Sequence, residues 1–253
     1  MRADQLLLER GLAASRSQAQ RLIAAGVRWR LGDGAWKSVV KNGEALREGA
    51  ELQLLDTAET RFVSRGGLKL EAALRHTSID VRGMCVLDLG QSSGGFTDCL
   101  LQRGAAAVVG VDVGQGQLHP KLTGDPRVVC IEKCNARDLT AQMLLDHGAG
   151  DASFNLIVGD LSFISQTLVW PAVVPLLKPE ANLLMLVKPQ FELQPEHIGK
   201  GGLVRDAVSY ALVQARLAQA CTEHGLAQRD YFESAITGGD GNREFFVWAT
   251  CGA

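Results

Sequence analysis

Four charged residues stand out for where the chain places them: Lys69, Asp160, Lys188 and Glu244. Lys69 precedes an apolar, strand-like run, Asp160 and Lys188 each end one, and Glu244 adjoins the last. Their surroundings, SRGGLKL, GDLSFIS, LVKPQFE and ITGGDGNREF, set each charge among glycine, proline or small polar residues. Any one of them alone reads as an ordinary solvated charge at the end of an element. Together, two amines and two carboxylates can hold, orient and transfer a proton. A lysine that takes up a proton must first be neutral; burial and positive neighbours favour that form, and carboxylate neighbours oppose it. Four such groups in contact would titrate as one system.

A second chemical signal is VLDLGQSSGGFTDCLL, residues 86–101. VLDL is a short apolar run with one acid, the pattern of a strand buried in a mainly parallel sheet. Residues 90–95 form a glycine-rich turn, and Phe96, Cys99 and Leu100 resume at helical spacing until Gly104. Strand, glycine loop and helix bring backbone N–H groups and a helix N-terminus close to a ligand. The dinucleotide fingerprint G-x-G-x-x-G is missing, because the order here is G-x-x-x-G-G. A strand-terminal Asp-x-Gly with this looser loop resembles motif I of S-adenosylmethionine-dependent methyltransferases, where no pyrophosphate has to be cradled.

The elements that would position these groups alternate along the chain. Strands are expected at 106–112, 127–131, 154–160 and 182–187, with Asp112 and Asp160 at the tips of two of them. An acid at the tip of the second strand can accept from both ribose hydroxyls of an adenosine. Asn135 lies just beyond the third strand. A helix from about 164 to 177, bent at Pro171, is expected before the fifth strand. A long helix capped by Asp206 and closed by Gly225 is expected to bury Val208, Ala211, Leu212 and Ala215. Strands at 226–234 and 244–249 close the chain as a hairpin-like pair. The fold class is therefore α/β, a doubly wound, mainly parallel sheet with a ligand crevice at the strand C-termini.

The totals fit one large domain or a medium one with a smaller partner: 253 residues, 46% hydrophobic and 21% charged. Net charge is −2, but nine basic against four acidic residues through Arg47 give that segment +5 and leave −7 for the rest. A small polyanion-binding head on an acidic body is implied. Six scattered cysteines, without a CxxC pair, read as reduced thiols of a cytosolic protein and not as a metal site. Leu6–Leu8 is followed at once by Glu9 and Arg10, unlike a signal peptide. The longest apolar region, 168–177, contains two prolines and is too short to span a bilayer. A soluble, cytoplasmic protein with no membrane partner is expected.

The head itself reads as a short helix closed by Gly11, then a second opened by the S-x-x-Q capping box at Ser15 and ended by Gly26. Short β segments are expected at 27–31 and 51–55. The run RADQLLLERGLAASRSQAQRLIAAG resembles the S-four-type RNA-binding domain, which implies an α+β RNA-binding module over residues 1–56. Arg2, Arg16, Arg21 and Arg65 are the residues expected to meet RNA. Residues 57–63 read as a linker and 64–253 as the second domain.

The five contexts SRGGLKL, GDLSFIS, LVKPQFE, GKGGLVRD and ITGGDGNREF resemble the FtsJ-like ribose methyltransferases, and more closely the TlyA family, historically called haemolysins. Nearly the whole chain shares that likeness. It implies a Lys-Asp-Lys-Glu tetrad for ribose 2′-O-methylation, matched in order by Lys69, Asp160, Lys188 and Glu244. It implies S-adenosylmethionine as cofactor, held by Asp88, Gly90, Gly94, Gly95 and Phe96 of the loop, Asp112 and Asn135. The implied substrate is a ribose, a cytidine's, in ribosomal RNA or a ribosomal subunit. Lys188 would lie nearest the hydroxyl, with Lys69 and Glu244 orienting it and Asp160 between cofactor and lysine. Gln91, Ser93 and Ala235 depart from the family pattern. A non-catalytic ribosome-assembly protein, a membrane-active haemolysin and a small-molecule methyltransferase are the competing readings. An intact tetrad argues against the first, the absence of a spanning segment against the second, and the basic head against the third.

Overall fold

The first element, α1 (Ala3–Glu9), buries Leu6 and Leu7, and α2 (Arg16–Gly26) buries Ala19, Leu22 and Ile23. The expected cap forms: Ser15 Oγ accepts from the Gln18 amide at 3.2 Å. Three strands follow, β1 (Val27–Arg30), β2 (Lys37–Ser38) and β3 (Glu51–Leu54), in an antiparallel sheet of order β2-β1-β3. Val27, Val39, Leu46 and Ala50 complete this unit's own core. Asp4 is fully buried beneath two arginines, with Arg2 Nε at 2.9 Å and Arg16 Nε at 3.1 Å. The Arg2 hydrogen bond, more than any other contact, holds the Asp4 carboxyl well below the usual carboxylate range.

The computed structural model describes residues 1–13, 15–55, 61–204, 206–238 and 241–252. They divide into two compact units, Met1–Arg65 and Gly66–Ala253. Most of the expected linker, residues 57–60, lies outside the described residues.

The second unit is built on seven strands: β4 (Cys85–Leu89), β5 (Ala107–Val111), β6 (Val128–Ile131), β7 (Phe154–Gly159), β8 (Leu177–Val187), β9 (Leu226–Glu233) and β10 (Phe245–Cys251). Their order is β6-β5-β4-β7-β8-β10-β9. From β6 to β8 the pairing is parallel, and β10 enters antiparallel between β8 and β9. Helices α3 (Gly66–Thr77), α4 (Gly95–Gln102), α5 (Ala141–Asp146), α6 (Trp170–Val173), α7 (Pro189–Glu192) and α8 (Ala207–Glu223) connect these strands or lead into them. The apolar runs of β4, β7 and the second half of β8 are explained by burial on both faces, with Leu87, Ile157 and Leu183 fully covered. The chain leaves β4 for β5 on one side and returns to β7 on the other, so the crevice for a ligand opens above β4.

Two expectations are corrected. The helix expected from 164 to 177 is broken into a 3-10 turn (Gln166–Leu168), the single turn α6 and a second 3-10 turn (Val174–Leu176). Pro171 and Pro175 lack the N–H a continuous helix needs, and β8 begins at Leu177, five residues before the expected 182. On α8 the buried stripe is Ser209, Val213, Leu217, Ala220 and Cys221, while Val208 and Leu212 are exposed. The apolar residues outnumber what one face can bury, and the side turned to the sheet is the one that also carries Leu217.

Candidate active site

Above the carboxyl ends of β4, β5 and β7 lies a cavity of about 990 Å³, whose walls include Gly90, Asp112, Asn135, Asp160, Ser162 and Phe163. Gly90 has φ +76°, and a Cβ there would lie 2.8 Å from the Asp160 carbonyl oxygen. Only glycine lets the loop after β4 lie against the segment after β7. Gly94, φ +88°, leads into α4, which begins at Gly95; a Cβ at Gly94 would lie 2.4 Å from Leu122 Cδ1. The departure at Gln91 has a structural reason. Its buried side chain donates to Thr97 Oγ1 at 2.9 Å and fills the space above Gly110, where a Cβ would be 2.0 Å from Gln91 Cδ.

Asp88 sits beneath this loop, 1% exposed. Thr97 Oγ1 donates to its Oδ2 at 2.7 Å, and Oδ1 has no partner among the described residues. Burial pushes this carboxyl up to about 7; the Thr97 hydroxyl opposes the shift, and Asp160 and Asp112 add to it. The folded chain therefore binds a proton at Asp88 that the unfolded chain, with an ordinary value near 3.8, has already released. Stability associated with this group is present below the unfolded value and is lost as pH rises through about 7. Denaturant unfolding of wild type and Asp88→Asn should differ accordingly: the asparagine variant gains on the wild type by a few kcal/mol at most between pH 4 and pH 8. A difference independent of pH would contradict this.

Asp112 Oδ2 accepts from the Ser92 amide and Oδ1 from the Gly114 amide, both at 2.7 Å. Its carboxylate thus ties the glycine loop to β5 while still facing the cavity, and each oxygen keeps a free lone pair for a ligand hydroxyl. Asn135 caps the 3-10 turn Ala136–Asp138, accepting from the Arg137 amide at 3.1 Å. Phe96 lies elsewhere. It is buried, its ring 6.4 Å from that of Phe246, and belongs to the core and not to the cavity wall.

The four charged residues come together as two ion pairs. Lys69, in the first turn of α3, is buried and bonds the buried Glu244 carboxylate just ahead of β10. Lys188, the cap of α7, holds Nζ 2.5 Å from Asp160 Oδ1 and donates to Ser162 Oγ at 2.8 Å. The contact with Asp160 is charge against charge and not an aligned hydrogen bond. Burial raises the Glu244 carboxyl above its ordinary range; Lys69 and Lys188 draw it down, and Asp160 adds to the rise. All four groups are therefore within electrostatic reach of one another's pair.

Ser162 and Thr97 are the site residues that sequence reasoning missed. The signal for Ser162 was its place two residues after Asp160 in GDLSFIS. Thr97 falls in the first turn of α4, where a side chain reaches back towards the strand it follows. In the other unit, Arg2 and Arg16 are committed to Asp4. Arg21 and Arg65, also expected to meet RNA, are half-buried in that unit.

Two features at this loop leave room for a ligand group: Asp88 Oδ1 is buried under it without a partner among the described residues, and at Gly90, on the cavity wall, a Cβ would run into Asp160. Residues 62–251 match the family model described as FtsJ-like methyltransferase. The chain is 43% identical over 250 residues to a 16S/23S rRNA (cytidine-2′-O)-methyltransferase, TlyA, of Mycobacterium tuberculosis, covering 98% of this chain and 88% of that one. It is 35% identical over 247 residues to Hemolysin A of Brachyspira hyodysenteriae, covering 98% of each. A solved hemolysin candidate from Streptococcus thermophilus superposes with a TM-score of 0.75 at 36% identity, over 100% of this chain and 88% of that one.

Proposed function

The chain belongs to the FtsJ-like methyltransferase family, and from that premise we propose that it moves a methyl group from S-adenosylmethionine to a cytidine 2′-hydroxyl of ribosomal RNA. The observation that carries this reading is Lys188 bound to two residues of the cavity wall, Asp160 and Ser162, with the Lys69–Glu244 pair in electrostatic reach. A protein that only bound ribosomes would have no use for two such pairs. Nor is any helix among the described residues long and apolar enough to cross a membrane.

Gly90, Asp112 and Asn135 would hold the cofactor, with the ribose hydroxyls at Asp112 and the loop above Asp88. Bound there, it supplies a methyl group on positively charged sulfur, an electrophile that needs no further activation. The ribose hydroxyl is the difficult partner, because its pKa lies far above neutrality. For this step Lys188 must be in its neutral form; its Nζ then takes the hydroxyl proton, Asp160 and Ser162 hold the lysine in place, and the Lys69–Glu244 pair acts within electrostatic reach. Positioning supplies much of the remaining rate, because reacting atoms held in line need no further search.

In this account Asp112→Ala weakens S-adenosylmethionine binding at least about tenfold by calorimetry, as expected when a charged hydrogen-bonding partner is removed. Affinity for ribosomal RNA stays the same. Unchanged cofactor affinity would remove Asp112 from the site. The function itself is tested by incubating isolated ribosomal subunits with the protein and methyl-labelled S-adenosylmethionine. Label should enter the rRNA; subunits that remain unlabelled, while a small molecule accepts the methyl, would overturn the reading. A cytoplasmic site of action follows from that substrate.

A further inference from the structure

Asp160 and Lys188 directly follow the adjacent strands β7 and β8, whose last pair is Gly159 with Met185, and beyond that pair contacts between the two loops must hold their spacing. Three contacts in a row do so. At the cavity, Lys188 meets Asp160 and Ser162. Next, the Phe163 and Phe191 rings lie 4.9 Å apart. Below them Glu192, 3% exposed, accepts from Ser165 Oγ at 2.5 Å through Oε2 and from the Gln166 amide at 2.8 Å through Oε1.

Glu192 is rigidly linked to Lys188, because both belong to one helical turn. Lys188 caps it, the Phe191 amide bonds the Lys188 carbonyl at 2.9 Å, and Glu192 ends it. On the other loop, Gln166 is anchored to the sheet through its own side chain, which donates to the Leu186 carbonyl at 2.5 Å. Arg216 of α8 donates to the Glu192 carbonyl at 2.6 Å and to Thr167 Oγ1 at 3.2 Å, closing the clasp from outside. Burial raises the Glu192 carboxyl, while the Ser165 and Gln166 bonds oppose the shift.

We propose that Glu192 is a positioning residue for methyl transfer: by clasping Ser165 and the Gln166 amide it sets the separation of Lys188 from Asp160. It acts through its hydrogen bonds to the neighbouring loop, from the wall of the same cavity. A misplacement of about 1 Å can cost a reaction about a hundredfold, so a clasp one helical turn away carries leverage over the rate. The inference rests on the reading of Lys188 and Asp160 as the reacting pair.

The experiment compares Glu192→Ala, Glu192→Gln and Ser165→Ala in the full chain. Single-turnover methyl transfer is measured with saturating subunits, cofactor affinity by calorimetry, and folding by the unfolding midpoint. The alanine variant at Glu192 should slow transfer at least about tenfold while cofactor affinity stays within about twofold. Glutamine can accept from the Gln166 amide and donate to Ser165 Oγ, so Glu192→Gln should keep at least about a third of the rate. Ser165→Ala, which removes one bond without burying a lone charge, should fall between the two and keeps the test open if Glu192→Ala does not fold. Wild-type rates in Ser165→Ala and Glu192→Ala, a glutamine variant as slow as the alanine one, or cofactor affinity falling in step with rate would each overturn the role. Lys188→Ala in the same assay separates the two readings. Full activity there overturns the reacting pair itself, whereas an inactive Lys188→Ala beside a fully active Glu192→Ala overturns only the clasp.

Discussion

Replacing Lys188 with arginine is expected to abolish methyl transfer while leaving cofactor and rRNA binding in place. Arginine keeps the positive charge and roughly the reach, and it would still meet Asp160 and Ser162. Its guanidinium stays protonated at any accessible pH and so cannot take a proton from the ribose hydroxyl. Loss of a general base costs about 10²–10⁴-fold, which places the variant near the floor of a single-turnover assay. Single-turnover conditions matter because they isolate the chemical step from binding and release. The rival mechanism has Lys188 steer the hydroxyl by hydrogen bonding while water takes the proton. Arginine would then retain substantial turnover with a similar pH profile. Such retained activity would end the general-base role, though not the identity of the site.

The second large effect concerns the head. The sheet from β4 to β10 and its core lie wholly within residues 66–253, and the head has a separate core around Leu6, Leu22 and Val27. Removing residues 1–56 should therefore leave the rest folded and able to bind cofactor, while modification of ribosomal subunits falls at least about a hundredfold, the effect of losing several phosphate contacts. If the head supplies those contacts, RNA binding by the intact protein should weaken steeply with salt. Arg2 and Arg16 hold the buried Asp4, so substituting either also destabilises the head. Truncation is the cleaner measurement. A truncated protein that methylates full subunits at the normal rate would show the basic head to be incidental.

The strands were legible because a parallel sheet buried on both faces leaves uninterrupted apolar runs, and the glycines because the loop needs positive φ beside a close backbone. The charged set was legible from its order and surroundings. What escaped reading depends on contacts between distant segments. The helix expected at 164–177 fails because two prolines break it and Leu177 pairs instead with Phe154. Which side of α8 is buried is decided by the sheet it covers, and apolar residues on two sides left that open. A buried aromatic beside a strand is more often core than ligand wall, and the ring that Phe96 faces, Phe246 of β10, is 150 residues away in the chain. Gln91 looked like a defect in the glycine loop, yet it is seated over Gly110, a partner nineteen residues on whose lack of a side chain makes the room. Ser162 and Glu192 take their importance from the neighbouring loop, which no local pattern announces.

If the methyl group ends on a ribose oxygen of rRNA, it can be located there chemically. Ribosomal RNA incubated as subunits with the protein and S-adenosylmethionine is digested and its nucleosides and alkali-resistant dinucleotides are analysed by mass. The methyl should lie on the 2′-oxygen of a cytidine, make its 3′ phosphodiester alkali-resistant, and be absent with Lys188→Arg. A methyl found on a base, or ribose methylation equally strong with the arginine variant, would contradict this expectation.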